Sequence, residues 1–156
     1  MSSAPPHRCG EAFRLNKLFS MPSPFETETG TVLMLEPTWA REGELRAQLL
    51  DESYTKPFVV DDGKSRFLYF NVRLMQSEMS LNAPNDLSLR YTQKMMAFLL
   101  FHPRPKRIDL IGLGGGSLIK FCYHRMPGTQ LTAIELDPDV IALRDTFLLP
   151  EDGPRL

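Results

Sequence analysis

Apolar and polar residues change rhythm several times along the chain, and each change marks an element. Residues 1–30 show no sustained periodicity and are rich in Pro, Ser, Thr and Gly, the composition of a flexible leader. Thr31 to Glu36 reads as a short strand that Pro37 ends, and Leu45 and Leu49 share one face of a helix over Arg41 to Glu52. Phe58 to Val60 and Phe67 to Val72 are apolar runs on either side of Asp61-Asp62-Gly63-Lys64. That is a hairpin in which Asp-Gly supplies the positive φ a tight turn needs. In its second run Phe67 and Tyr69 point one way and Leu68 and Phe70 the other, so both faces require cover, by the leader, the helix or a second copy. Ser77 to Asp86 is polar, contains Pro84 and reads as a loop. Asn85 or Asp86 then caps a helix with the apolar stripe Leu87, Tyr91, Met95, Phe98 and Leu99, which ends at His102-Pro103.

The second half has a different rhythm. Ile108, Leu110 and Ile111 form a short strand, Gly112, Gly114, Gly115 and Gly116 a tight loop, Ser117 to Met126 a helix, and Leu131 to Leu136 a second strand. Asp137 caps a further helix that starts with Pro138 and runs to 147, and residues 150–156 read as a connecting loop. The predicted fold class is α/β. A small N-terminal β-hairpin module (31–82) is followed by the β-α-β-α first half of a Rossmann-like, S-adenosylmethionine-type domain (83–156), truncated before its third strand. Two strands alone leave sheet edges without neighbours, and self-association into a homo-oligomer is the expected consequence.

Strand, glycine loop, helix, strand and terminal acid together form the first half of a nucleotide-type site, where a lone G-x-G would mark only a turn. A dinucleotide loop is G-x-G-x-x-G, and from Gly112 its last glycine falls on Ser117. The pattern present is G-x-G-x-G, associated with S-adenosylmethionine-type ligands. These carry no pyrophosphate, so the loop must admit a sulfonium and its tail closely. Glu135 stands where a carboxylate holds a ribose. The acid that many methyltransferases carry two places before the first glycine is absent, with Leu110 there and Asp109 one place too early.

Pro105 to Leu118 and the later Ala-Ile-Glu-Leu-Asp-Pro-Asp-Val-Ile-Ala-Leu resemble the spermidine synthase (polyamine aminopropyltransferase) family, in the manner of its divergent bacterial members and over its N-terminal portion. Gln76, at the end of a strand-like segment, resembles the family's cofactor-contacting glutamine, and Tyr91-Thr92-Gln93 its Tyr-His-Glu. The resemblance implies an S-adenosylmethionine or decarboxylated S-adenosylmethionine cofactor contacted by Gln76, Gly112, Gly114, Gly115, Gly116 and Glu135, and an N-terminal β-module that joins subunits. Tyr91 is the candidate catalytic residue, either orienting an amine from the cleft or simply packing as a core tyrosine. Two departures bear on substrate: Gly115 stands at the family's loop aspartate, which meets the donor's amino group, and Thr92 stands at its histidine.

A net charge of −1 and an apolar content of 42% give no basic surplus for nucleic acid. Cys9 and Cys122 make no disulfide framework, so a reducing, cytoplasmic setting is expected, and Met95 to Phe101, the longest apolar run, is far too short for a membrane. Cys122 shares a helix face with Leu118 and Phe121, as a packing residue would. His7, His102 and His124 have no metal-ligand spacing, and neither a nucleophile elbow nor a P-loop lysine is present. Two functions are expected from these residues. One is the cofactor-binding part of a spermidine-synthase-like transferase acting on a small-molecule amine or other nucleophile, not catalytic as this chain alone. The other is a non-catalytic interaction piece associating through the N-terminal β-module. A nicotinamide-dependent oxidoreductase would require glycine at position 117.

Overall fold

Asp61 and Asp62 build the turn around which the first half of the fold is organised. Asp61 Oδ1 accepts from Gly63 N at 2.9 Å, Asp62 Oδ1 accepts from Lys64 N and Ser65 N at 2.8 and 2.7 Å, and Gly63 takes φ +82°. The computed structural model describes residues 18–156. From the turn spreads a five-stranded antiparallel sheet, β1 (Phe19–Pro22), β2 (Thr31–Met34), β3 (Phe58–Asp61), β4 (Ser65–Asn71) and β5 (Leu74–Ser80), in that spatial order. Helix α1 (Glu42–Leu50) crosses between β2 and β3. One face packs Phe58, Tyr69, Val32, Val60 and Met34 against Leu45 and Leu49 of α1, with the Phe58 and Tyr69 rings stacked at 5.4 Å. The other face packs Val59, Leu68 and Met79 against Leu143 and Phe147 from the far end of the chain. Both faces of β4 are therefore covered from within the chain at Phe67, Leu68 and Tyr69, whereas Phe70 is exposed.

The second half begins with α2 (Arg90–Met95), which tightens into a 3₁₀ turn over Met96–Leu100. Then follow β6 (Arg107–Ile111), α3 (Ser117–Arg125), β7 (Gln130–Ile134) and α4 (Pro138–Ala142). β6 and β7 pair in parallel, Arg107 opposite Gln130 and Ile111 opposite Ile134. Ile119 and Cys122 of α3 seal one face with Leu131. Burial pushes the Cys122 thiol up to about 11, so it is an inert packing residue. Arg155 stacks 4.5 Å from the Tyr123 ring, donates to the carbonyls of Tyr123 and Met126 at the end of α3, and through its own carbonyl accepts from Leu131 N at 2.7 Å. The molecule is mixed α/β, and no helix among the described residues is long and apolar enough to cross a membrane.

Several sequence expectations need correction. Residues 19–22, assigned to the leader, form β1 on Met34 to Thr31; residues 1–17, with His7 and Cys9, lie outside the described residues. Ser77 to Ser80, read as loop, belongs to β5, because the cross-strand partners in β4 rather than its own polarity hold it extended. The helix expected from residue 87 starts at Arg90 with no side-chain cap, and its stripe is only partly core: Leu87 is buried, while Tyr91 and Met95 are half exposed. The last helix stops at Ala142 and continues as turns, although Asp137 caps it as expected, accepting from Asp139 N at 2.9 Å with Pro138 in the first turn.

Candidate functional site

The glycine loop joins β6 to α3, and Gly112, Gly114 and Gly116 all take positive φ (+87°, +53° and +67°), a conformation that other residues adopt only under strain. What surrounds each glycine differs. A side chain on Gly112 would meet open space, whereas one on Gly114 would lie 2.9 Å from Ser77 Oγ. On Gly115 it would lie 2.9 Å from Ser77 Cβ and 3.1 Å from the Phe147 ring, and on Gly116 it would collide with Leu149. Three of the four glycines thus admit neighbouring parts of the protein, and Gly112 alone faces the outside.

Most of the loop's amides are already bonded within the chain. Gly112 N donates to Ile134 O at 2.8 Å, Leu113 N to Glu135 Oε2 at 2.8 Å, Gly115 N to Ser77 Oγ at 3.0 Å and Gly116 N to Leu113 O at 2.9 Å. The loop is not a phosphate cradle.

Glu135 follows the end of β7 and gathers backbone donors: Leu113 N on one oxygen, and Leu136 N and Asp137 N at 2.8 and 3.0 Å on the other. Partial burial works to raise its pKa, but the amides of Asp137, Leu113 and Leu136 together outweigh it and hold the carboxyl below its ordinary value. The carboxylate binds the glycine loop to the start of α4. It lines an open groove of about 600 Å³ with Leu113, Ile134, Ile141 and Arg144.

Gln76 is the extra residue of a β-bulge: Leu68 pairs with Ser77 and Tyr69 with Met75, so Gln76 has no partner in the ladder. A bulge re-aims one side chain and switches the faces of those beyond it, which is how Met75 joins one core and Met79 the other. The Tyr91 hydroxyl donates to the Gln76 carbonyl at 3.5 Å. Tyr91 also lines a small cavity, about 50 Å³, with Ser77, Thr92, Gly112, Leu113 and Ser117. The fold therefore brings Tyr91 and β5 to the glycine loop, with Glu135 on the loop's other flank. Thr92 is buried, its hydroxyl donating to Leu89 O at 2.6 Å.

Sequence reasoning missed two residues at this junction. Ser77, the acceptor for Gly115, sits beside Gln76 in what read as a polar loop, and no pattern marked it. Lys120 is fully buried, its amine 2.7 Å from Phe147 O and 2.8 Å from Met79 Sδ. The only signal for it was a cation between Ile119 and Phe121 on the helix after the loop. Among the described residues no group of three His, Cys, Asp or Glu could hold a metal ion.

The polyamine aminopropyltransferase of Chromobacterium violaceum is 42% identical to this chain over 96 residues, 61% of this chain and 37% of that protein. Its counterpart in Neisseria meningitidis serogroup A is 35% identical over 118 residues, 74% of this chain and 45% of that protein. The Vibrio vulnificus polyamine aminopropyltransferase is 38% identical over 68 residues, 42% of this chain and 23% of that protein. No family model and no solved structure matches the chain. The chain spans less than half the length of the curated relatives it matches. On this similarity, which extends well beyond the glycine loop, the chain belongs to the spermidine synthase (polyamine aminopropyltransferase) family.

Proposed function

We propose that the chain carries the donor-binding part of a spermidine-synthase-like transferase, its residues 83–156 forming the first half of a Rossmann-like domain beside an N-terminal β-module of residues 31–82. The donor is S-adenosylmethionine or its decarboxylated form. The observation that carries this reading is the Glu135 carboxylate, ionised, pinned to the glycine loop, and on the lip of a groove of nucleoside size. A nucleoside without pyrophosphate fits the residues present. The amides of Gly112, Leu113, Gly115 and Gly116 already have acceptors, so a phosphate would find few donors, while the acceptor site left on Glu135 Oε2 can take a ribose hydroxyl. Gly112 leaves the loop's outer side open to the ligand's tail, and Gly114, Gly115 and Gly116 keep the backbone there low.

The bound donor supplies an electrophilic carbon on a sulfonium. The chain's own part is orientation: Glu135 fixes the sugar, Gln76 closes the site from β5, and the half-exposed Tyr91 phenol is placed to hydrogen-bond a small amine or other nucleophile. A cytoplasmic setting and association between copies through exposed apolar side chains such as Ile111 and Leu136 complete the proposal. A non-catalytic role is the second reading, favoured by Gly115, walled in where the resemblance puts a carboxylate, and by Thr92, buried where it puts a histidine.

Calorimetry with methylthioadenosine and decarboxylated S-adenosylmethionine tests the reading. The chain is expected to bind both, and Glu135→Ala to bind more weakly by about 1.5–3 kcal/mol, the worth of charge-assisted hydrogen bonds to a sugar. Failure of the unaltered chain to bind either ligand would overturn it. Binding without turnover when an amine is supplied selects the non-catalytic role.

A further inference from the structure

We infer that Lys120 is a positioning residue for the glycine loop, clasping strand β5 and the turn after α4 against it so that Ser77 and Phe147 wall Gly115. The inference rests on the donor-binding reading for its ligand arm and on geometry alone for the rest. Lys120 lies in the first turn of α3, where its backbone N–H donates to Gly116 O at 2.9 Å, so its main chain is fixed to the last glycine of the loop. Its side chain crosses to two other elements, reaching Phe147 O at 2.7 Å and Met79 Sδ at 2.8 Å, and none of it is exposed.

Both partners belong to the structures that wall Gly115. Met79 is two residues from Ser77 and on the same face of β5, and Ser77 Oγ accepts from Gly115 N. Phe147 places its ring where a side chain on Gly115 would go. Arg66 reinforces the arrangement from β4, donating to Thr146 O at 2.6 Å while Asp61 holds its Nε at 2.7 Å. Two cations thus take two successive carbonyls of one turn, whose next residue, Leu148, is in the left-handed region at φ +56°. An amine in so apolar a place is costly to bury. An apolar side chain of equal volume would fill the same space, so what the amine adds is direction, since its donors fit one relative placement of β5, the turn and the loop.

The test replaces Lys120 by Met in the 156-residue chain and follows amide hydrogen exchange by NMR, together with methylthioadenosine affinity. Gly115 N–H is expected to exchange about tenfold faster while amides of the β2–β3 ladder keep their rates, and affinity is expected to fall about tenfold. A residue acting only through global stability would move both sets of amides together, so an equal change in both, or unchanged Gly115 exchange, overturns the inference. If Lys120→Met does not fold, Met79→Leu removes the thioether acceptor at nearly constant volume. Faster Gly115 exchange then supports the clasp and an unchanged rate refutes it. Exchange needs no ligand, so an unaltered chain that fails to bind methylthioadenosine counts against the donor-binding reading and leaves the clasp to be decided by the exchange rates.

Discussion

The antiparallel sheet and the parallel pair are built from similar residues and end in opposite conditions. Three of the four residues of β3 are buried, with core on both faces, whereas no residue of β6 is buried. Ile111 at the end of β6 is 93% exposed and Leu136 after β7 is 92% exposed. A groove of about 940 Å³ lined by Met95, Phe98, Phe101, Ile108 and Leu110 runs beside β6, and among the described residues no further strand pairs with it. Parallel strands ordinarily need cover on both faces, and α3 supplies only one. Ile134 and Glu135 hold the start of the glycine loop from within the parallel half, and the rest of its order is borrowed from the antiparallel half: Ser77 on Gly115, Met79 on Lys120, and the sheet's second face beneath Phe147.

The contrast can be broken most forcefully at its centre. Phe58→Ala, which empties a site stacked on Tyr69 and only 1% exposed, should cost about 3–5 kcal/mol in urea unfolding, and Ile111→Ala less than about 0.5 kcal/mol. Equal costs would mean that the two halves are alike in packing. Lys120 offers the next largest effect. Burial pushes its pKa down from 10.5 to about 8, so between those values the unfolded chain holds a proton that the folded chain has released. Folding is then disfavoured by the full amount below pH 8 and relieved as pH rises. The stability of the unaltered chain relative to Lys120→Met should therefore increase by up to about 3 kcal/mol from pH 7.5 to 10.5, read from urea midpoints at each pH. A flat or falling difference would show that the amine stays charged throughout. The smallest effect separates the glycines. Gly112→Ala carries only the strain of positive φ, about 1 kcal/mol, while Gly116→Ala adds a collision with Leu149 and should cost about 2–3 kcal/mol in thermal unfolding. Equal losses would remove the distinction between an open and a packed side of the loop.

Local chemistry made much of this legible beforehand. The Asp61-Asp62-Gly63 turn, the cap at Asp137 with Pro138 behind it, and the order strand, glycine loop, helix, strand depend on residues that act on their immediate neighbours. Other features were illegible for a common reason. β5 is a strand because β4 pairs with it, and the bulge at Gln76 is a matter of register between the two. The apolar stripe from Leu87 to Leu99 satisfies a helical period, yet among the described residues too little packs on it to bury Tyr91 and Met95.

By itself the sequence determined where the chain turns and which runs can be strands or helices, since each follows from backbone freedom and periodicity within a few residues. Only the tertiary structure decided which glycines face outward and which are closed by Ser77, Phe147 and Leu149, and why a lysine lies wholly buried behind them. Those depend on contacts between residues 38 and 27 positions apart, Ser77 with Gly115 and Phe147 with Lys120, and such contacts exist only once β5, α3 and the turn after α4 have packed.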